Sequence, residues 1–369
     1  MKKTAFLNPF YYLSQGRVRL YAVRSLFKER SYLYGPSLYP EEKQKTRIRI
    51  IFEQLFYAIK YGVADDRYFL NGMDRRESPY KGDILDNAKF KKIRNGLNSN
   101  PLPGQDHNYL MILRDKFYFN QLLSKLDYPI PVLRLLIDGE RFCNLETKEW
   151  KSLDGILDLT IDGCMKDING IQGRRVNLFK VYQQRIWIGG KEVDFDFFKA
   201  YCLFGKLLVE DKIIQHAALN RFNNTSVNSL RIVTVCNKEN IEIFAAFIRI
   251  GKVGSFTDNV AQGGSLVDVN LETGRLEPRG WIRYPEKIVN KHPDTTIEFK
   301  DFEIPFYKEA IEMSKALHRF FYHIHSIGWD IAITENGPCF IEGNDNWGLP
   351  FQGLTRGLKA DFERLFIRH

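Results

Sequence analysis

The stretch that most limits how this chain can fold is WDIAITENGPCFIEGNDNWG, Trp329 to Gly348. Two alternating segments, WDIAI and CFIEGN, flank TENGP, and Asn-Gly is the strongest short hairpin signal a sequence carries. The spacing predicts a β-hairpin that closes at Asn336-Gly337. Side chains two apart leave the same face of a strand, so Glu342 and Asn344 share a face. Pairing across the turn brings Asp330 close to it. Two carboxylates and an amide oxygen are hard oxygen donors, costly to gather unless a cation sits among them. A solvated acidic hairpin is the alternative at this point.

With 369 residues the chain can bury a sizeable core, as two or three sub-domains of one enzyme-sized unit. Its formal charge of +9 favours anionic partners, whether nucleotides, acidic sugars, nucleic acid or lipid headgroups, without choosing among them. The five cysteines are scattered and form no C-x-x-C pair, so neither a disulfide framework nor a zinc site is expected, as in a reducing cytoplasm. The basic start MKKTAFLNPFYYLSQG has its apolar run broken at Asn8-Pro9 with no small-residue cleavage site after it, so a secretory signal is not expected. No apolar run is long enough to span a bilayer. In RVRLYAVRSLFKER, Arg17 to Arg30, basic and aromatic residues interleave. An ordinary solvated helix accounts for that pattern, and a helix lying on a membrane surface is the second reading.

PEEKQKTRIRIIFEQLFYAIKYG, Pro40 to Gly62, places apolar residues at helical spacing before a glycine stop. NSNPLPGQDHN, Asn98 to Asn108, clusters Pro, Gly and Asn as a boundary. The expected organisation is a mainly helical region over 1–108, a first lobe over 109–207 and a second over 208–369. A helix through RDKFYFNQLLSKLD ends at YPIPVL, and strands and helices alternate from VLRLLIDG onward, the pattern of an α+β body.

Three further places ask for an anion. In DGCMKDINGIQGRRVNLFKV a strand ending in Lys166 enters a loop with Gly170 and Gly173. Glycines let backbone N–H groups approach a phosphate, and a strand-end lysine adds a point charge with little packing of its own. A plain glycine hairpin explains the stretch equally well. KLLVEDKIIQH carries an apolar strand into Glu210-Asp211. In NNTSVNSLRIVTV, Arg231 lies between Leu230 and Ile232 inside a strand and needs an acidic or phosphate partner. A structural salt bridge is as good a reading as a catalytic one. DNVAQGGSLVDV adds Gly263-Gly264 on a loop. His323 and His325, in FYHIHS, are two apart on an expected helix and so on different faces, which speaks for packing over ligation.

The order of these pieces resembles the ATP-grasp superfamily: DK opening a helix, a lysine before a glycine loop, LLVED at a strand end, and an Asp…Glu-x-Asn hairpin. SVNSLRIVT, AQGG and the hairpin look like the sugar-transfer-associated ATP-grasp proteins of polysaccharide loci, with the likeness covering roughly residues 110 to 350. The resemblance implies an α+β ATP-grasp fold, two lobes clamping ATP, preceded by the helical region. It implies that Lys116 and Lys166 reach the nucleotide phosphates and that Gly170 and Gly173 lie in the loop covering them. Glu210 and the backbone of Asp211, Lys212 and Ile213 would read adenine. Asp330, Glu342 and Asn344 would hold Mg2+. Many peptide-forming relatives carry an arginine two residues before the metal aspartate; Gly328 stands there in this chain, and Arg231 or Arg249 is expected to supply the charge.

The implied reaction is an ATP- and Mg2+-dependent carboxylate–amine ligation through an acyl phosphate, joining an amino acid or amine to a sugar acid. No Ser-His-Asp or Cys-His arrangement is legible, in keeping with catalysis by positioning and electrostatics. A phosphotransferase acting on a sugar or alcohol is the alternative enzyme. A nucleic-acid-binding protein is the alternative of another class, but the basic residues are spread along the chain and matched by acidic ones.

Overall fold

The computed structural model describes residues 9–62, 64–65, 67–77, 82–99, 109–170, 175–237, 240–260, 263–283, 286–349, 352 and 356–367, without the side chains of 9–15 and 88. The chain forms two compact units, one of residues 1–97 and 351–369 and one of residues 98–350. The C-terminal segment expected in the second lobe therefore belongs with the N-terminal region.

The first unit is helical: α1 (Pro9–Lys28), α2 (Ser31–Tyr34), α3 (Arg47–Tyr61) and α4 (Asn87–Ser99), with a C-terminal helix over Lys359–Phe366. Helix α3 ends where expected. Gly62 takes φ +74°, and its N–H returns to the Ala58 carbonyl. Ala22 and Leu26 of α1 pack in one buried cluster with Ala58 of α3. Phe362 of the C-terminal helix meets Phe90 of α4 edge-on, centroids 6.0 Å apart.

The second unit contains α5 (Leu110–Arg114), α6 (Lys116–Lys125) and two antiparallel sheets. The first sheet is built from β1 (Leu133–Asp138), β2 (Arg141–Asn144), β3 (Glu149–Ser152), β4 (Ile161–Asp167), β5 (Asn177–Tyr182), β6 (Arg185–Ile188), β7 (Lys191–Val193) and β8 (Leu207–Asp211). Its order is β3-β2-β1-β8-β4-β5-β6-β7. The second comprises β9 (Leu230–Asn237), β10 (Asn240–Ile250), β11 (Ser265–Val269), β12 (Leu276–Arg283), β13 (Glu286–Val289), β14 (Ser326–Thr334) and β15 (Gly337–Asn344), in the order β13-β12-β11-β10-β9-β14-β15.

Two boundaries differ from expectation. The 207/208 division falls inside β8, which sits between β1 and β4 in the first sheet. Helices α5 and α6 were expected in the first lobe, yet Leu110, Leu113, Phe119 and Leu123 are buried with Trp329, Phe340 and Leu317 against the second sheet. Their apolar faces, not their place in the chain, decide where they pack. His323 and His325 also lie in a turn before β14 and not on a helix; His323 stacks on Tyr109 at 4.0 Å. Among the described residues, no helix is long and apolar enough to cross a membrane.

Candidate active site

The hairpin forms, with its turn one residue earlier than Asn-Gly alone implies. Thr334 pairs with Gly337, leaving Glu335-Asn336 as the loop, and Gly337 takes φ +113°, which favours glycine. Continued regularly from there, the ladder would set Asp330 opposite Ile341, with Glu342 on the other face. A bulge between Asp330 and Ile331 shifts the register, so that Asp330 faces Glu342 and Gly328 faces Asn344. The extra residue shifts one strand by half the two-residue side-chain period and gathers the acids on one face.

On its other edge β14 pairs with β9, and Asp330 stands opposite Arg231. Arg231, Asp330 and Glu342 thus form a row across three neighbouring strands. The Arg231 guanidinium donates from Nε to Asp330 Oδ1 and from Nη2 to Oδ2, the latter at 2.7 Å. Arg249 on β10 donates to the same Oδ2 at 2.7 Å and to Ser229 Oγ at 2.7 Å, and lies 3.5 Å from Asp258 Oδ2. Asp258 in turn accepts from the Ser229 N–H at 3.0 Å. Burial would push the Asp330 carboxyl up, but Arg231 and Arg249 outweigh it and hold it well below the usual carboxylate range. Glu342 goes the other way: burial raises it first, the charge of Asp330 raises it further, and Lys116 offsets only part.

The position of Gly328 has a physical counterpart. A Cβ there would lie 2.7 Å from Trp347 Cβ and 3.2 Å from Arg231 Cδ. Arg231 reaches across from the next strand into the space that a side chain at 328 would take.

A cavity of about 690 Å³ adjoins this row and is lined by residues of both sheets. Lys116, Lys166, Gly170, Glu210, Asp330 and Glu342 all border it, as do Asp211, Lys212, Ile213 and Arg249. Arg231 and Asn344 are not among the residues that line it. Gly173 lies outside the described residues. Asp115 caps α6 by accepting from the Phe117 and Tyr118 N–H groups, which fixes Lys116 at the first helical position. The Lys116 ammonium donates to the Gly170 carbonyl and sits 3.8 Å from Glu342 Oε2. Burial lowers its pKa, and the nearby Lys166 lowers it further.

Lys166 corrects an expectation. It is not a loosely held strand-end lysine, being buried and paired with Glu210 at 2.6 Å. Burial pulls its pKa down, and the Glu210 charge and hydrogen bond more than restore it, for a net rise. The next two side chains are each held by an ion pair. Asp211 takes two hydrogen bonds from Arg134, at 2.7 and 2.8 Å, and Lys212 pairs with Asp162.

Sequence reasoning missed Ser229 and Asp258, which hold Arg249, and the buried amide network around Asn228. Asn228 N–H donates to Gln215 Oε1, its side chain donates to Leu219 and Asn223 carbonyls at 3.1 and 3.0 Å, and its Oδ1 accepts from Gly251 N–H at 3.1 Å. SVNS does contain both Asn228 and Ser229, but nothing in the string separates a buried amide from a loop polar residue.

Residues 103–362 match the family described as sugar-transfer associated ATP-grasp. The chain belongs to that family. No curated protein matches it. This ATP-grasp chain is similar to solved D-alanine–D-alanine ligase from Helicobacter pylori (14% identity, 69% of this chain and 59% of that one, TM-score 0.39). It is also similar to VanG D-Ala:D-Ser ligase from Enterococcus faecalis (12%, 69% and 61%, TM-score 0.41) and L-amino acid ligase from Bacillus licheniformis (12%, 64% and 41%, TM-score 0.36). It spans less than two thirds of the length of each.

ATP-grasp ligases use ATP and Mg2+. The donor set here fits a hard divalent cation: Glu342 and Asp330 face each other, and Asn344 Nδ2 donates to Glu342 Oε1 at 3.1 Å. The raised Glu342 marks a place where one more positive charge is favourable. Among the described residues no cluster of three or more His, Cys, Asp or Glu could hold a metal, so Asn344 would have to complete this set.

Proposed function

We propose that this chain is an ATP- and Mg2+-dependent carboxylate–amine ligase, joining an amino acid or amine to a sugar acid during surface polysaccharide biosynthesis. The observation that carries the reading is the Arg231–Asp330–Glu342 row beside a cavity that also receives Lys116 and Lys166. The substrate carboxylate attacks the γ-phosphoryl group, ADP leaves, and an acyl phosphate forms. The amine then attacks the acyl carbon, and phosphate departs with the former carboxylate oxygen. Each step develops negative charge on oxygen, and fixed cations lower its cost.

Lys116 and Lys166 hold the phosphates in this reading, and Gly170 belongs to the loop over them. Glu210 with the backbone of Asp211 to Ile213 receives the adenine. Asp330, Glu342 and Asn344 would hold Mg2+, which when bound supplies charge neutralisation at the transferring phosphoryl. Arg231 fixes the Asp330 carboxylate, and Arg249 reaches the cavity wall to meet charge on the acyl phosphate. The two sheets with their helices act as the two clamping lobes. The reaction runs in a reducing compartment, where five free cysteines stay as thiols.

ATP turnover with sugar acids crossed against amino acids, followed by mass spectrometry, tests this. A product lighter by one water than the sum of its parts, with ADP and phosphate in equal amounts, supports ligation. A stable phosphoester with ADP and no free phosphate would make the chain a phosphotransferase instead.

A further inference from the structure

The formal charge of the chain is unevenly divided. The unit of residues 1–97 and 351–369 carries 24 Lys and Arg against 12 Asp and Glu, a net of +12. Residues 98–350 carry 30 against 33, a net of −3, and the two together give the formal +9. The unit that contains the candidate active site is slightly acidic. The basic character of the protein resides in the other, whose role the ligase reading does not use.

That basic unit also exposes an apolar stripe. Ile48, Phe52, Phe56 and Ile59 of α3 are 68%, 67%, 52% and 56% exposed. At 3.6 residues per turn these four fall within about 80° of one helix face. The buried residues of α3, Ile50, Gln54 and Ala58, lie on the opposite side. The stripe thus points away from the core that α3 helps to form. Cations border it along one edge: Arg49 lies just beyond Phe56 around the helix, and Lys60 follows Ile59 and stands 5.0 Å over the Phe56 ring, whereas Arg47 turns to the Leu33 carbonyl and the Tyr34 ring. The single acid of α3, Glu53, is taken up by Lys45 at 2.7 Å, Arg49 at 3.0 Å and the Tyr68 hydroxyl at 2.5 Å. Helix α1 packs along α3 and exposes Leu20, Tyr21 and Phe27 among Arg17, Arg24 and Lys28.

We infer that the outer face of α3, together with α1, docks on the surface of a bilayer containing anionic phospholipid. A helix with aromatic and aliphatic residues on one face and cations at its borders lies in the membrane interface, the rings entering the headgroup boundary and the cations meeting lipid phosphates. Each Lys or Arg near an anionic leaflet adds to the attraction, and a net +12 unit brings many. The same charge opposes the second candidate occupant, a further copy of this chain, because like faces would meet with like sign. Free nucleic acid would meet the cations but leaves the four apolar side chains in water.

Flotation of the full chain with vesicles decides the matter, using phosphatidylcholine alone and phosphatidylcholine mixed with phosphatidylglycerol. The chain is expected to float with the mixed vesicles, to bind neutral ones at least about tenfold more weakly, and to be released in part by salt. The double variant Phe52→Ser/Phe56→Ser should lower partitioning into the mixed vesicles by about tenfold or more, with an unchanged melting temperature. The triple variant Arg17→Gln/Arg24→Gln/Lys28→Gln should weaken it to a similar extent and leave the salt dependence shallower. Equal binding to both vesicle types, no binding to either, or full binding by the double variant would each overturn the inference. So would a chain that sediments as a dimer and becomes monomeric in the double variant, since a second copy would then be the occupant. Flotation needs neither ATP nor turnover, so it stands or fails separately from the ligase reading.

Discussion

Arg231 and Asp330 face each other in register across β9 and β14, with two guanidinium N–H groups directed at the two oxygens of one buried carboxylate. Such a bidentate pair fixes the orientation of the carboxylate. Lysine cannot copy the fork. Arg231→Lys is therefore expected to lower stability by about 2–4 kcal/mol and to raise the Mg2+ concentration needed for half-maximal turnover by at least about tenfold. ATP affinity should change little. Denaturation and Mg2+ titration of one preparation check this; a variant that loses stability yet keeps the wild-type Mg2+ dependence would make the pair structural only.

Gly328 offers a purely steric test. A methyl at this position meets Trp347 Cβ at 2.7 Å and Arg231 Cδ at 3.2 Å. Gly328→Ala should cost about 1–3 kcal/mol, and Gly328→Arg more, because Trp347 and Arg231 already fill the space. Thermal denaturation measures both.

Lys166 and Glu210 give a third. Lys166→Ala leaves a buried carboxylate without its partner, and the expected loss is about 3–5 kcal/mol. The double variant Lys166→Met/Glu210→Gln removes both charges and should recover at least half of that loss while binding a non-hydrolysable ATP analogue poorly. Chemical denaturation and calorimetry read the two quantities. A stable Lys166→Ala single variant would contradict the buried pair.

The acid side of the stability profile follows from His318. Its Nε2 meets the Ile324 carbonyl at 2.8 Å, its Nδ1 the Thr234 hydroxyl at 2.7 Å, and Trp329 Nε1 donates to the same hydroxyl at 2.8 Å. The neutral ring, with its proton on Nε2, satisfies this network. Burial depresses the pKa to about 4 from an ordinary 6.5, and the Ile324 carbonyl restores only part. A depressed folded-state pKa means that the unfolded chain binds the proton more readily. The contribution is fully present above 6.5 and is lost as pH falls toward about 4, for a total of roughly 3 kcal/mol. Denaturant titrations across that window should show stability rising with pH, and His318→Gln should flatten the slope. His292, also depressed by burial, contributes with the same sign.

Much of this was legible in the string, and the gaps share a cause. Alternation and Asn-Gly marked the β14–β15 hairpin, and Asp115 before Lys116 marked the helix start. The bulge beside Asp330 was not legible, although without it Asp330 and Glu342 would face opposite ways. The Lys166–Glu210 pair was hidden for a related reason: β4 and β8 are separated by four other elements in the chain and become neighbours only in the folded sheet. Helices α5 and α6 went to the wrong sheet in the sequence reading because periodicity shows which face is apolar and not which core receives it. Local pattern fixes elements; partners across strands come from topology.

The central claim is acyl-phosphate chemistry at the row of Arg231, Asp330 and Glu342, and the fate of one oxygen tests it most directly. A sugar acid whose carboxylate carries heavy oxygen is turned over with ATP and an amine, and the released phosphate is analysed by mass spectrometry. The account predicts one labelled oxygen per phosphate, formed at a rate that Glu342→Gln reduces by at least about a hundredfold. Unlabelled phosphate, or turnover that Glu342→Gln leaves intact, would contradict it.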